Sequence, residues 1–300
     1  MNIERVYVNT YRYDYILLRI CIASIRYWYP DIPIFLIKDY ASGKFDTSDI
    51  EKKWKLQILV TEIKCFGWGF GKLEPLFLKE DHQFLVLDSD TVMTGYILDS
   101  VKDVEADFTV DEELQEISEV KRLYYDTTQV QQIFAGFIYP GYTFNSGQWF
   151  GSSNKISKQD IAELVEWKSM PTLKCPQYFM PGDQGIFNLV LHFKERESLV
   201  KVHRTEMMIW PNDHAADIVD IESIKSKKNP LNRIIHWAGL KKDKLSEYQR
   251  YDILEFYFNY FKKDLGLFQK ITTNIFAEWL GIERKVKYRL NRIMPSKQRS

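Results

Sequence analysis

A chain of 300 residues is long enough for one large α/β domain or two small ones. Its 41 basic and 41 acidic residues cancel, so no global charge points to nucleic acid. With 18 Tyr, 19 Phe and 8 Trp, it can fill a large core and still spare rings for stacking on sugars or bases. Cys21, Cys65 and Cys175 are far apart, odd in number and without metal-ligand spacing. They are expected as core residues of a protein in a reducing compartment. The opening stretch carries Glu4, Arg5, Arg12 and Asp14 instead of a signal-peptide apolar core. No apolar run approaches the roughly 20 residues of a membrane span. The expected location is cytoplasmic, soluble or peripheral on the inner face of a membrane.

The first ninety residues alternate strand and helix. Val6-Tyr7-Val8 reads as a strand. Ile16, Ile20, Ala23 and Tyr27 give helical spacing from Tyr15 to Tyr29, which Pro30 and Pro33 stop. Ile34 to Ile37 is a second strand, Thr47 to Trp54 a short helix, and Leu56 to Val60 a third strand. A helix is expected from Lys72. Phe84 to Leu87 is a fourth, buried strand. This rhythm predicts a mostly parallel sheet with right-handed crossovers. Ala106 to Val110 is a further strand, and Asp111 to Gln132 a polar excursion, partly helical. Tyr142 to Phe150 reads as strand, turn, strand. Ser157 to Trp167 reads as a helix capped by Ser157. Another helix begins near Gly182, and a strand ends at His236 with Gly239 as the following turn.

Asp88-Ser89-Asp90 closes the fourth strand. Residues two apart in a strand share a face, so these two carboxylates form a short, hard, oxygen-rich pair suited to Mg²⁺ or Mn²⁺. The C-terminal end of a buried strand is where open α/β sheets place ligands. Three further segments belong with it: Phe144-Asn145-Ser146-Gly147; Asp183-Gln184 with Asn188 a turn later; and His236-Trp237-Ala238-Gly239 with Lys242. Each alone has a bland reading, as a turn, a helix cap or a structural histidine.

In that order, the four segments resemble the GT-A glycosyltransferases of family 8, the glycogenin-like and lipooligosaccharide galactosyl- or glucosyltransferase-like enzymes. The resemblance runs from about Arg5 to Lys242. It implies a GT-A fold and a hexosyltransferase that uses a UDP-sugar and Mn²⁺ (or Mg²⁺) and retains anomeric configuration. The acceptor would be a glycan, glycolipid or protein, as in polysaccharide or lipooligosaccharide biosynthesis. It further implies Asp88, Asp90 and His236 as metal ligands, with Asp88 and Ser89 also against the donor. Gly239 and Lys242 would meet the diphosphate, and Asn145 and Gly147 the donor sugar. Asp183 and Gln184 would flank the anomeric carbon. Tyr11 or Tyr13 would stack on uracil, Asn9 and Thr10 would bond it, and Lys72 matches a basic residue ahead of the acidic pair. The chain departs from the family at Asp243-Lys244, where Pro-Trp is usual, at Gly185 and at the bulky Gln148-Trp149-Phe150.

Two other readings stay open. Leu87 to Val92 also fits the opening motif of haloacid-dehalogenase-type phosphatases, with Asp88 as nucleophile and Gly182-Asp183 as the later acidic motif. A non-catalytic sugar-binding module is the other. The domain reading is residues 1–245 as the catalytic domain and residues 246–300 as a helical, aromatic and basic extension. In that extension Phe256, Tyr257, Tyr260 and Phe261, then Phe268, Ile271, Ile275 and Trp279, lie at helical spacing. Arg284, Lys285, Lys287, Arg289, Arg292, Lys297 and Arg299 follow with no acid among them. Such a segment suits an anionic membrane surface, or packs on the core with a solvated tail.

Overall fold

The computed structural model describes residues 1–67, 69–134 and 136–293; Lys297 and Arg299 of the basic tail lie outside the described residues. The chain opens with β1 (Ile3–Tyr11), α1 (Tyr15–Trp28), β2 (Ile34–Asp39), α2 (Ser48–Trp54) and β3 (Gln57–Ile58). A 3₁₀ helix, Phe70–Phe77, leads to β4 (Gln83–Asp88) and β5 (Thr91–Met93). Then come β6 (Phe108–Asp111), α3 (Ile117–Leu123), α4 (Thr127–Ile133), β7 (Gln148–Ser152), β8 (Val165–Glu166) and β9 (Thr172–Leu173). The last part holds α5 (Asp183–Arg196), β10 (Val202–Thr205), β11 (Met208–Ile209), α6 (His214–Asp217), α7 (Ile221–Ser226), β12 (Ile234–His236), α8 (Tyr251–Lys262) and α9 (Leu267–Ile293).

Seven strands form the central sheet in the order β10-β6-β7-β4-β1-β2-β3. β1 pairs parallel with both β2 and β4, while β7 runs antiparallel between β4 and β6. β4 sits mid-sheet and is buried on both faces, which explains its uniformly apolar run. Leu85 and Leu87 enter a core shared with α1, α8 and β12; Phe84 and Val86 enter a second core shared with α5 and the 3₁₀ helix. Tyr257 and Phe261 of α8 are fully buried in the first of these.

Four expected elements differ. The strand expected ahead of the Asn145–Gly147 turn reduces to an isolated bridge between Thr143 and Glu113. The helix from Lys72 is 3₁₀ throughout, with Pro75 inside it, where an α-helix would lack an N–H donor. The strand expected over 56–60 shrinks to Gln57–Ile58 at the sheet edge, and Val60 is 85 % exposed. The helix expected over 157–167 is one 3₁₀ turn, Gln159–Ile161, followed by the short strand β8. Its periodic apolar residues Ile161, Leu164 and Val165 are buried against the second core without a continuous helix. Ser157 does cap that turn: its hydroxyl accepts from the Asp160 N–H at 3.3 Å, and its own N–H donates to the Asp160 carboxylate at 2.7 Å.

A three-stranded sheet, β11-β12-β5, stands beside the large one. Its pairing sets His236 opposite Thr91, the residue after Asp90. That antiparallel pairing joins segments nearly 150 residues apart in sequence and builds the site.

Candidate active site

β1 and β4 end side by side, with Asn9 paired to Asp88. β4 stops at Asp88, so Asp90 lies in the turn before β5 and not in a continuing strand. The two carboxylates therefore converge through a turn, not through the strand alternation expected from their spacing. The Asp90 carbonyl accepts a bond from the Trp237 N–H at 3.0 Å, which ties the turn to the end of β12.

Asp88, Asp90 and His236 each offer one ligand atom, and these atoms lie within 4.8 Å of one another. Asp90 Oδ1 and His236 Nε2 are 3.2 Å apart. Two neighbouring ligands of an octahedral ion at ~2.1 Å stand about 3 Å apart, so this spacing fits a shared cation. Each acid has its second oxygen held by a lysine. Lys72 Nζ lies 3.0 Å from Asp88 Oδ2, and Lys241 Nζ lies 3.0 Å from Asp90 Oδ2. The lysines fix the carboxylates so that both Oδ1 atoms are left for other partners; on Asp88 that partner is the Asn9 amide, at 3.4 Å.

His236 is buried, and its ring stacks on Trp210 at 5.9 Å with 9° between planes. Its Nδ1 has no hydrogen-bond partner. Gly147 lies against it so closely that a Cβ there would meet His236 Cε1 at 2.1 Å. The Gly147 carbonyl accepts from the Asp88 N–H at 2.7 Å, and the Gly147 N–H donates to Asn145 Oδ1 at 2.8 Å. The Asn145–Gly147 turn thus touches both an acid and the imidazole. Asn188 fixes that turn by bonding the Phe144 N–H at 3.0 Å and carbonyl at 2.9 Å.

Asp183 opens α5 and is buried 3.3 Å from Lys72 Nζ. Lys72 thus bridges Asp183, Asp88 and, at 3.0 Å, the Ser146 hydroxyl. Burial pushes the Asp183 carboxyl above its ordinary value, with Lys72 pulling against it. For Lys72 burial lowers the ammonium, but Asp183 and Asp88 outweigh that and hold it above its usual value. Burial also disfavours the charge on Asp90, yet Lys241 and His236 more than offset it, leaving Asp90 well below the carboxylate range. Gln184 bonds the Ser146 N–H at 3.3 Å and the Leu123 carbonyl at 3.2 Å, so its amide bridges two loops of the wall.

Other expected residues also gather here. The Ser89 hydroxyl donates to Asp14 at 2.8 Å, and Ser89 N–H donates to the Asn9 carbonyl at 3.0 Å. Tyr11 and Tyr13 sit edge to face at 6.0 Å after β1, and Lys241 Nζ lies 5.5 Å from the Tyr11 ring. Gly239 turns the chain in the left-handed region at φ +69°. Lys242 does not reach the acid cluster among the described residues. It borders a cavity of about 310 Å³ with Lys244, Leu245 and Arg284. The lysine at the acids is its neighbour, Lys241, whose Nζ also lies 2.7 Å from Asp14. Asp14 and Lys241 were not anticipated from the sequence. Asp14 stands in a run of tyrosines at the start of α1, and only its proximity to the end of β1 hinted at a role.

No protein-family model matches the chain, and no curated protein matches it by sequence. Solved structures do share its fold. The apo bifunctional glycosyltransferase WbbM superposes with a TM-score of 0.56 at 15 % identity, over 86 % of this chain and 50 % of that one. This chain therefore spans about half the length of that protein. The galactosyltransferase LgtC, in complex with donor and acceptor sugar analogues, gives a TM-score of 0.54 at 15 % identity, over 85 % of this chain and 95 % of that one. An active-site mutant of LgtC gives 0.51 at 12 % identity, over 84 % and 94 %. With a mostly parallel sheet, an acidic turn at the tip of its central strand and these structural neighbours, the chain has the GT-A glycosyltransferase fold expected from its sequence.

Proposed function

We propose that this protein transfers a hexose from a UDP-sugar to a glycan, glycolipid or protein acceptor, using a divalent cation and retaining anomeric configuration. The observation that carries the reading is the meeting of Asp88, Asp90 and His236 within 4.8 Å at the tip of β4. Two carboxylates and one imidazole make a mixed oxygen and nitrogen donor set, which suits Mn²⁺ over Mg²⁺. The solved LgtC complex, which shares the fold, carries donor and acceptor sugar analogues, which supports a nucleotide-sugar donor here.

Glycosyl transfer requires a diphosphate to leave an anomeric carbon that gains oxocarbenium character. The bound cation would supply charge neutralisation at the departing phosphate. Lys241 would turn from Asp90 toward the same oxygens as a point charge, with Lys242 behind it and Gly239 letting the chain pass close. Asn145 and Gly147 would line the sugar. Asp183 stands on the far side of Lys72 from Asp88, and with Gln184 it is the candidate to stabilise the anomeric centre. Tyr11 or Tyr13 would stack on the base, and Asn9, Thr10 and Ser89 complete the donor pocket.

A screen of UDP- and GDP-sugars for Mn²⁺-dependent donor hydrolysis tests this. One UDP-sugar is expected to be consumed by the wild type. Asp88→Asn with Asp90→Asn is expected to lose about 10²–10³ in rate or more, with unchanged far-UV circular dichroism. Phosphate release from a phosphomonoester without sugar-nucleotide consumption would favour the phosphatase reading instead. Donor binding with neither transfer nor hydrolysis would favour a binding module. The buried imidazole beside the acid pair favours a metal-dependent transferase over the phosphatase reading.

A further inference from the structure

We propose that Asp14 is a positioning residue of the cation site: it touches no bound ion, but by drawing the Lys241 ammonium away from Asp90 it keeps the Asp90 carboxylate negative for one. This rests on the divalent-cation reading of Asp88, Asp90 and His236.

The two acids of the site are built alike. Each shares a lysine with a second, buried acid that is not among the converging ligand atoms. Lys72 Nζ lies 3.0 Å from Asp88 and 3.3 Å from Asp183. Lys241 Nζ lies 3.0 Å from Asp90 and 2.7 Å from Asp14. The Lys241 ammonium is thus nearer the outer acid than the inner one. Paired with Asp90 alone, it would cancel the charge that attracts a cation. Between two carboxylates it leaves the trio one negative charge. Asp90 Oδ1 still faces His236 Nε2, at 3.2 Å.

Several contacts hold this arrangement. Asp14 closes the 3₁₀ turn Arg12–Asp14 that joins β1 to α1. Its Oδ1 takes the ammonium, and its Oδ2 accepts from the hydroxyl of Ser89, the residue between the two ligand acids. The loop that delivers Lys241 is fixed from outside. The Tyr248 hydroxyl accepts from the Lys242 N–H at 3.1 Å, and Arg284 of α9 donates to the Lys241 and Lys242 carbonyls, each at 3.4 Å. A pair that served folding alone would behave differently from one that sets the charge of the site. Losing either partner strands the other, so both single variants would loosen the site alike. Control of charge gives the two variants opposite signs.

The test is a Mn²⁺ titration of the full chain without nucleotide, read by water-proton relaxation, with circular dichroism as the check on folding. A unit charge about 5 Å from a divalent ion, at an effective dielectric constant of about 20, changes affinity by more than a factor of about ten. Asp14→Asn leaves Lys241 to Asp90 alone and is expected to weaken Mn²⁺ binding about tenfold or more. Lys241→Met is expected to tighten it about tenfold or more. The double variant keeps the single negative charge and is expected to return to within about threefold of wild type. If Lys241→Met alone does not fold, Asp14→Asn against the double variant still decides. Weaker binding in both folded single variants, unchanged binding in Asp14→Asn, or a double variant no better than Asp14→Asn would overturn the proposal. Mn²⁺ binding by none of these chains would overturn it together with the cation site. Mn²⁺ binding with the expected signs, but no UDP- or GDP-sugar consumed, would support it and end the transferase reading alone.

Discussion

Gly147→Ala tests the architecture of the site with the smallest possible change. The new Cβ would stand 2.1 Å from His236 Cε1 and 2.8 Å from Nδ1. Carbon atoms rest at about 3.5 Å or more, so the imidazole must retreat by about 1.4 Å. The ring is buried and stacked on Trp210, and overpacking such a site costs about 1–3 kcal/mol. A metal ligand tolerates about 0.2 Å of misplacement, so the displaced Nε2 no longer serves as one. Losing it costs at least the 10–100-fold in affinity that follows when even an outer partner of a ligand is removed. Calorimetric or paramagnetic-relaxation titration with Mn²⁺ reads this directly, and a thermal melt gives the packing cost. Gly281→Ala is the control, because its Cβ would meet open space. Wild-type Mn²⁺ affinity in Gly147→Ala, or an equal loss in Gly281→Ala, would refute the geometry on which the site is built.

Further outcomes follow from the buried charges. Lys241→Met leaves Asp14 and Asp90 facing each other without their shared ammonium and is expected to lower stability by about 2–4 kcal/mol in urea unfolding. Asp14→Asn in the same chain is expected to recover part of that loss, and no recovery would mean the pair is not coupled. Asn188→Ala strands a buried N–H and a buried carbonyl at Phe144 and is expected to cost about 2–4 kcal/mol, read from the same curves. His192 lies among Tyr125, Tyr142 and Phe144, and burial first, then Arg204, lowers its pKa to about 3. Between about pH 3 and pH 6.5 the unfolded chain binds a proton there that the folded chain does not. Stability therefore rises with pH across that window, by up to about 5 kcal/mol, and His192→Phe should flatten the slope. An unchanged slope in that variant would assign the acid sensitivity elsewhere.

The sheet was legible because its inner strands are buried on both faces: Val6 to Val8, Ile34 to Ile37 and Phe84 to Leu87 read as apolar runs for that reason. The short elements were not, because their apolar residues meet the core without regular backbone, as Ile161, Leu164 and Val165 do. The site was legible as residue types in order, since Asp88, Asp90 and His236 do come together. Its charge balance was not. Sequence order singles out Lys242, whereas the loop after Gly239 delivers Lys241 to Asp90. Asp14 is paired with that lysine across 227 positions, a separation no spacing rule spans. Nor did the spacing of Asp88 and Asp90 explain their approach, which a turn produces.

The most direct test is anomalous diffraction from crystals soaked in Mn²⁺ and a UDP-sugar. One strong manganese peak is expected within about 2.3 Å of a carboxylate oxygen of Asp88, one of Asp90 and Nε2 of His236. A peak that leaves His236 uncoordinated, or no peak there in crystals that hold the nucleotide, would contradict it.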